Sequence, residues 1–349
     1  MPHCRKTYLF FSLFLLVGSA CESAPSGSSD ESTARGNDSQ PRDEQRAATS
    51  GAAGAGESKA SNDPAAARSA QEEPAAGADE ATSTPARRAR PVDAERYPWL
   101  DETGEVVPLS TQFGTPDGYE RIDVEQGSFA AFLRGLPVRT DRFQVLSYAG
   151  EPISAPAASV IRLDVGDENL QQCADSLIRL HAEWLWSRGR SEEIGYHFTS
   201  GDLSTWSDWK DGERFVVRGA SVERRKGPAR DDTHETFRAY LSHLFTYAGT
   251  RSLRRDANPV DEIQPGDFFV APGSPGHAVM VLDVAVNDEG ERIALLGQGF
   301  MPAQEFHVIE GHKEAVLDEV WWPLPSEGET LDTPSWEPFP RSSVLRFED

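Results

Sequence analysis

Apolar positions along the chain follow two different rhythms. In residues 168–186, ENLQQCADSLIRLHAEWLW, large apolar groups recur at steps of three and four, so Leu170, Cys173, Leu177, Leu180 and Trp184 share one face. This spacing predicts the clearest helix of the chain. Asp167 is its expected N-cap, Glu168 favours its first turn and Gly189 stops it. Cys173 then lies about one and a half turns in, on the buried stripe. A second helix is predicted over 233–247, with Phe237, Tyr240, Leu241, Leu244 and Phe245 on one side and Gly249 at its end. Ser128 is placed to cap a short helix through Leu133. After Gln264-Pro265-Gly266 the rhythm becomes that of strands, over 267–270, 277–286, 293–300 and 305–309, with 287–290 as a hairpin connection. Runs at 119–124, 143–148, 159–165, 194–199 and 215–218 predict further strands, and 223–232 predicts a polar loop. Helices in the middle followed by an antiparallel meander predict an α+β domain.

Neither rhythm extends to the N-terminal part. Residues 1–20 carry Arg5 and Lys6, a short apolar run and then Gly18, Ser19 and Ala20, which is the pattern of a signal peptide. Small residues directly before Cys21 resemble a bacterial lipobox, which implies lipidation of Cys21. Gly18 stands where that pattern usually has leucine, and ordinary cleavage nearby is the alternative. Residues 21–95 are Ala, Gly, Ser, Glu, Asp, Pro and Arg with hardly a large apolar group, so they are expected to form a disordered tether. Residues 96–349 are expected to form one globular domain. The implied location is the bacterial cell envelope, with membrane attachment through an N-terminal lipid only.

Charge and cysteine content narrow the chemistry. The 349 residues carry 57 acidic and 34 basic side chains and a formal charge of −23, which argues against nucleic acid and anionic lipid as partners. Of the three cysteines, Cys4 leaves with a signal peptide and Cys21 is lipidated or removed. Cys173 is then unpaired in an exported protein. It is a buried hydrophobe, an intermolecular bridge or a nucleophile.

The stretch QPGDFFVAPGSPGHAVMVLDV sets His277 at the mouth of an apolar strand, after a turn of Gly, Ser, Pro and Gly. A cysteine on a helix, a histidine opening a later strand and a polar residue on the next strand form the layout of a papain-like thiol hydrolase. There a thiolate attacks a carbonyl, an imidazole moves the proton and a third group orients the ring. The candidates are Cys173, His277 and Gln298, with Gln172 and Gln171 as weaker candidates for an oxyanion site. If Val286 pairs with Glu291, then Val279 lies opposite Gln298, and Gln298 shares a face with His277. If Gly290 forms a bulge that pairs Asn287 with Glu291, the register slips by one and Gln298 faces away.

Two resemblances attach to these residues. PGDFFV followed by GHAVMV is similar to the signature of NlpC-type and CHAP-type cell-wall peptidases, which implies a papain-like arrangement of a central helix on an antiparallel sheet. Those families set the cysteine at the start of its helix and nearer the histidine than Cys173 is expected to lie. Longer runs, among them DVGDENLQQCADSLIRLHAEWLW, FRAYLSHLFTYAGTRSL and GQGFMPAQEFHVI, resemble the bacterial family catalogued as domain of unknown function 4846, which implies one domain but supplies no reaction.

The expected activity is that of an exported thiol hydrolase or amidase on cell-wall peptide or a related amide. The alternative is a non-catalytic envelope lipoprotein whose cleft binds a glycan, a peptide or a partner. No organic cofactor is implied. His277, Asp283 and His307 lack the spacing of a metal site, so no metal is expected. Trp184, Trp186, Trp206 and Trp209 are candidates for a glycan surface or, more simply, for the core.

Overall fold

The computed structural model describes residues 91–100, 105–219, 221–312, 316–334 and 336–348. The signal peptide, Cys21 and the tether to Arg90 lie outside the described residues. The described residues fall in one compact unit, Glu80–Asp349.

A nine-stranded sheet organises that unit. In chain order its strands are β1 (Tyr119–Arg121), β2 (Ala157–Val160), β3 (Ala257–Pro259), β4 (Phe268–Ala271), β5 (His277–Asn287), β6 (Arg292–Gln298), β7 (His307–Ile309), β8 (Trp321–Pro323) and β9 (Val344–Phe347). The spatial order is β3-β9-β4-β5-β6-β7-β2, with β1 against β5 and β8 against β6. All pairings are antiparallel. The class is therefore α+β, but the sheet is not the simple meander expected. The last strand returns across the domain to insert between β3 and β4. Strand β9 is buried, so its insertion is driven by the apolar surface of Val344, Leu345 and Phe347.

Both faces of the sheet are covered. Ala278, Met280 and Leu282 point into the larger core, with Leu177, Ile178 and Leu180 of helix α2 (Cys173–Ser187) and Phe237 and Leu241 of helix α3 (His234–Phe245). Val279, Val281, Ala294 and Leu296 point the other way, into a smaller core closed by Leu331 and Phe339. Those two belong to a C-terminal ribbon, Thr330–Thr333 paired with Trp336–Pro340. This explains why β5 reads as a continuous apolar run rather than an alternation.

The expected cap at Ser128 is observed, and Thr233 caps a further helix. The Ser128 hydroxyl accepts from the Ala131 N–H (3.2 Å) ahead of helix α1 (Phe129–Arg134), and the Thr233 hydroxyl accepts from the Thr236 N–H (3.2 Å). The expected cap at Asp167 is not observed, and the central helix begins five residues later than Glu168. The intervening backbone is spent on tight turns, with Leu170 N–H on Glu168 O and Gln172 N–H on Leu170 O. Gln172 is the cap, and the Asp175 carboxylate accepts its N–H (3.2 Å). Helix α2 is also not amphipathic in the usual way. Arg179 and Glu183, both fully buried, pair at 2.6 Å within it. The polar loop expected at 223–232 is in part a strand, Ser221–Lys226, paired with Glu213–Arg218.

Candidate active site

The N-terminal turn of helix α2 lies against the start of β5 and against Gly299, just after β6, where a Cβ would stand 2.6 Å from Ser176 Oγ. Because α2 starts at Cys173, the thiol stands in the first turn rather than one and a half turns in. Its Sγ faces the Gly276 carbonyl at 3.8 Å, one peptide from His277. The Ala278 backbone N–H is also directed at the sulfur. Gly276 permits this approach, since a Cβ there would lie 2.3 Å from Thr250 Oγ1 and 2.6 Å from Gly273 N. Cys173 is 4% exposed. Burial, and secondarily the charge of Asp175, push its thiol up to about 11.

The β5–β6 register contains two irregularities that cancel. Gly290 adopts φ +84° and the Asn287 N–H donates to Glu291 O, which is the slipped register. Leu282 is then an extra residue, because Val281 faces Leu296 and Asp283 faces Leu295. This second bulge restores the alignment. Met280 faces Gly297, so Val279 faces Gln298 and the side chains of His277 and Gln298 share a face.

Those two side chains are joined by a hydrogen bond of 2.7 Å between His277 Nε2 and Gln298 Oε1. A chain of contacts fixes the direction. The Glu305 carbonyl can only accept, so His307 Nδ1–H donates to it (3.1 Å) and His307 Nε2 is left as an acceptor. The Gln298 amide nitrogen donates to that Nε2 (3.3 Å), which turns Gln298 Oε1 toward His277. His277 therefore carries its proton on Nε2 and presents a bare Nδ1. That atom is buried without a hydrogen-bond partner. The rings of Phe300, Trp336 and Phe339 pack around His277 at 4.9, 5.1 and 6.0 Å between centroids. Burial lowers His277 to about 4, with a smaller contribution from His307, so the ring is neutral near pH 7.

The structure thus brings His277 and Gln298 into contact and sets the Cys173 sulfur beside the His277 backbone. It does not hydrogen-bond the sulfur to the ring. The thiol points to Gly276 O, while the ring packs toward the smaller core. Gln172 lies beside the thiol in a cleft of about 390 Å³ that Cys173, Asp175, Thr250, Gly276 and Met301 also line. Its amide donates to Asn169 Oδ1 (3.3 Å). Gln171 has a structural role, with its amide on Asp164 O and its oxygen accepting from Arg179. Asp283 is held by Arg121 (2.5 Å) and Arg134 (2.6 Å), which separates it from the two histidines. Trp184, Trp206 and Trp209 are buried, and Trp186 stacks on Phe237 at 4.6 Å, so these tryptophans are core.

Sequence reasoning missed Asp175, the contact of His307 with Gln298 and the aromatic cover from Trp336. Asp175 had a signal, because it sits three residues after Gln172 at capping-box spacing. His307 and Trp336 had none, since only the sheet order brings them to His277. No described helix is long and apolar enough to cross a membrane.

A family profile described as domain of unknown function (4846) matches residues 109–346. No curated protein matches the chain, and no solved structure does. The match spans more than half of the chain and nearly all of the described domain, and the chain belongs to the domain of unknown function 4846 family.

Proposed function

We propose that this protein is a thiol hydrolase of amide bonds, with Cys173 as nucleophile, His277 as base and acid, and Gln298 as the group that orients the ring. The observation that carries this reading is the tautomer of His277. The contacts from Glu305 O through His307 and Gln298 leave Nδ1 unprotonated at the residue next to the one the thiol faces. A thiol in the first turn of a helix has the N-terminal dipole to favour its thiolate. The ring lies on the smaller-core face of β5 and the thiol on the α2 face, so catalysis requires the start of β5 to turn His277 across the sheet and bring Sγ and Nδ1 to about 3–4 Å. The substrate class proposed is cell-wall peptide or a related amide, acted on outside the cytoplasm by a domain tethered through residues 21–95 and lipidated Cys21.

A second reading, a non-catalytic binding head, is favoured by the buried thiol and its raised pKa. Two measurements separate them. If the hydrolase reading holds, iodoacetamide alkylates Cys173 in the native fold at pH 7. A thiol that stays unlabelled until denaturation supports the binding head. On a panel of cell-wall peptides, Cys173→Ser and His277→Ala are each expected to lower turnover by at least about 100-fold. Unchanged turnover in Cys173→Ser would remove the hydrolase.

A further inference from the structure

The strand pair of Glu213–Arg218 and Ser221–Lys226 stands apart from the nine-stranded sheet, and most of its second strand is exposed. Its charge is opposite to that of the molecule. Residues 213–230 carry six basic side chains and two acidic ones, in a chain of formal charge −23. Arg214 pairs directly with Arg225, and side-chain alternation puts Arg218 on the same face. Like charges at opposite positions weaken a strand pair, so this face is not arranged for the stability of the pair. Arg230 returns over its base, where the guanidinium groups of Arg230 and Arg214 lie 4.3 and 4.6 Å from the centroid of the Trp209 ring. Both acidic groups are already engaged. Glu223 accepts twice from Arg225 (3.0 and 2.9 Å), and Glu213 accepts from Arg224 on the other face (3.0 Å). Arg214 donates to backbone carbonyls only. Among the described residues no carboxylate pairs with Arg218 or Arg230.

We propose that this face binds a linear phosphodiester polymer that carries no bases, of the kind poly(glycerol phosphate) represents. Arg214, Arg225 and Arg230 gather at one end of the face and Arg218 stands at the other, four residues or about 13 Å along the strand. One small anion cannot touch both ends, whereas a chain of repeated charges can. Arginine forks match phosphate oxygens. A phosphodiester polymer holds its charge in the backbone, so successive charges reach both ends without ordering side chains, as an acidic peptide must. A flat anionic membrane would bring the acidic remainder of the domain against like charge, while a thread touches this face alone. Bases would need an exposed ring to stack on, and Trp209 and Phe215 are each 5% exposed. A folded acidic protein would need an apolar anchor, and between the arginines this face offers only the half-buried Val216. Binding here stands whether or not Cys173 reacts.

The test is calorimetric titration of the full chain at low salt with synthetic poly(glycerol phosphate) long enough to span the face. Poly-L-glutamate, oligothymidylate and phosphatidylglycerol vesicles are titrated in parallel. Poly(glycerol phosphate) is expected to bind more tightly than polyglutamate or vesicles, and at least as tightly as oligothymidylate. Its affinity should fall with added salt at a log–log slope of about −2 to −3, as for three or four phosphate contacts on a single strand. Arg218→Gln combined with Arg230→Gln removes two of the four cations. It is expected to weaken binding by at least about 10-fold and to flatten the slope by about half. Neither side chain is hydrogen-bonded in the fold, so this variant should keep its melting temperature. The order of ligands and the salt slope in the unaltered protein stand even if it does not. No binding of poly(glycerol phosphate), or undiminished binding by the folded variant, would overturn the proposal. Polyglutamate or vesicles binding as tightly would also overturn it, in favour of an acidic peptide or a membrane surface. Tighter binding of oligothymidylate would overturn it in favour of a nucleic acid.

Discussion

Gly276 shows how closely the site is built. A methyl group there would meet Thr250 Oγ1 at 2.3 Å, Gly273 N at 2.6 Å and Ala271 O at 2.7 Å, and two of these are backbone atoms that cannot swing aside. Gly276→Ala is therefore expected to destabilise the fold by about 1–3 kcal/mol, as for overpacking. It should also displace the carbonyl that faces Cys173. Thermal unfolding checks the first effect and the rate of Cys173 alkylation the second. An unchanged melting temperature would show that the turn yields more easily than the geometry indicates. At the same scale, Gln298 accepts from His277 Nε2 (2.7 Å), and the hydrolase reading makes it a positioning residue. If the hydrolase reading holds, Gln298→Ala should lower kcat with little change in KM, because the amide holds the ring and not the substrate.

Among the elements, helix α2 departs most from its expected form. The three-and-four rhythm of its apolar residues is real, yet every residue from Cys173 to Leu185 is buried, including the charged ones. Arg179 is held by Glu183 (2.6 Å), Asp164 (2.9 Å) and the Gln171 oxygen (3.2 Å), and Glu183 also reaches His234 (3.0 Å). Removing one partner of such a pair leaves a buried charge uncompensated, so Glu183→Ala is expected to cost about 3–5 kcal/mol in urea denaturation. A loss below about 1 kcal/mol would mean that Asp164 alone satisfies Arg179. Strand β5 makes a related point. Its hairpin bulge at Gly290 would have turned Gln298 away from His277, and the extra residue Leu282 reverses it.

Across the whole molecule, burial sets how stability responds to pH. His277, His307 and His243 are lowered to about 4 and His181 to about 3, in each case first by burial. In the unfolded chain these rings take up protons below about pH 6.5. In the fold they stay neutral until about pH 4, so the unfolded state binds more protons across that window. Stability is then expected to be full above about pH 6.5 and to fall as the pH drops toward 4. Asp175 and Asp267 are raised by burial and work in the opposite direction, because the folded state holds their protons longer. Four histidines against two carboxyls leave the net loss on the acid side. Urea midpoints at pH 7 and pH 5 check this, and a higher midpoint at pH 5 would contradict it.

Read alone, the sequence settles what depends on neighbours along the chain. The Ser128 cap, the apolar rhythm of α2 and α3, the strands at β4 and β5 and the glycine-rich turn before His277 are local matters of hydrogen-bond chemistry and side-chain period. The lone cysteine of the described domain and the histidine at the mouth of β5 were legible for the same reason. The start of α2 was not, because two competing tight turns take the backbone from Glu168 to Gln172 and Asp164 draws Gln171 inward. Nor was the partnership of His277 with Gln298, His307 and Trp336. It depends on two cancelling bulges, on the order of strands and on a ribbon some sixty residues away. Periodicity records which face a residue prefers. Only packing of distant segments decides which groups meet on that face, and which buried atoms, such as Asp175 Oδ1 and His277 Nδ1, are left without a partner.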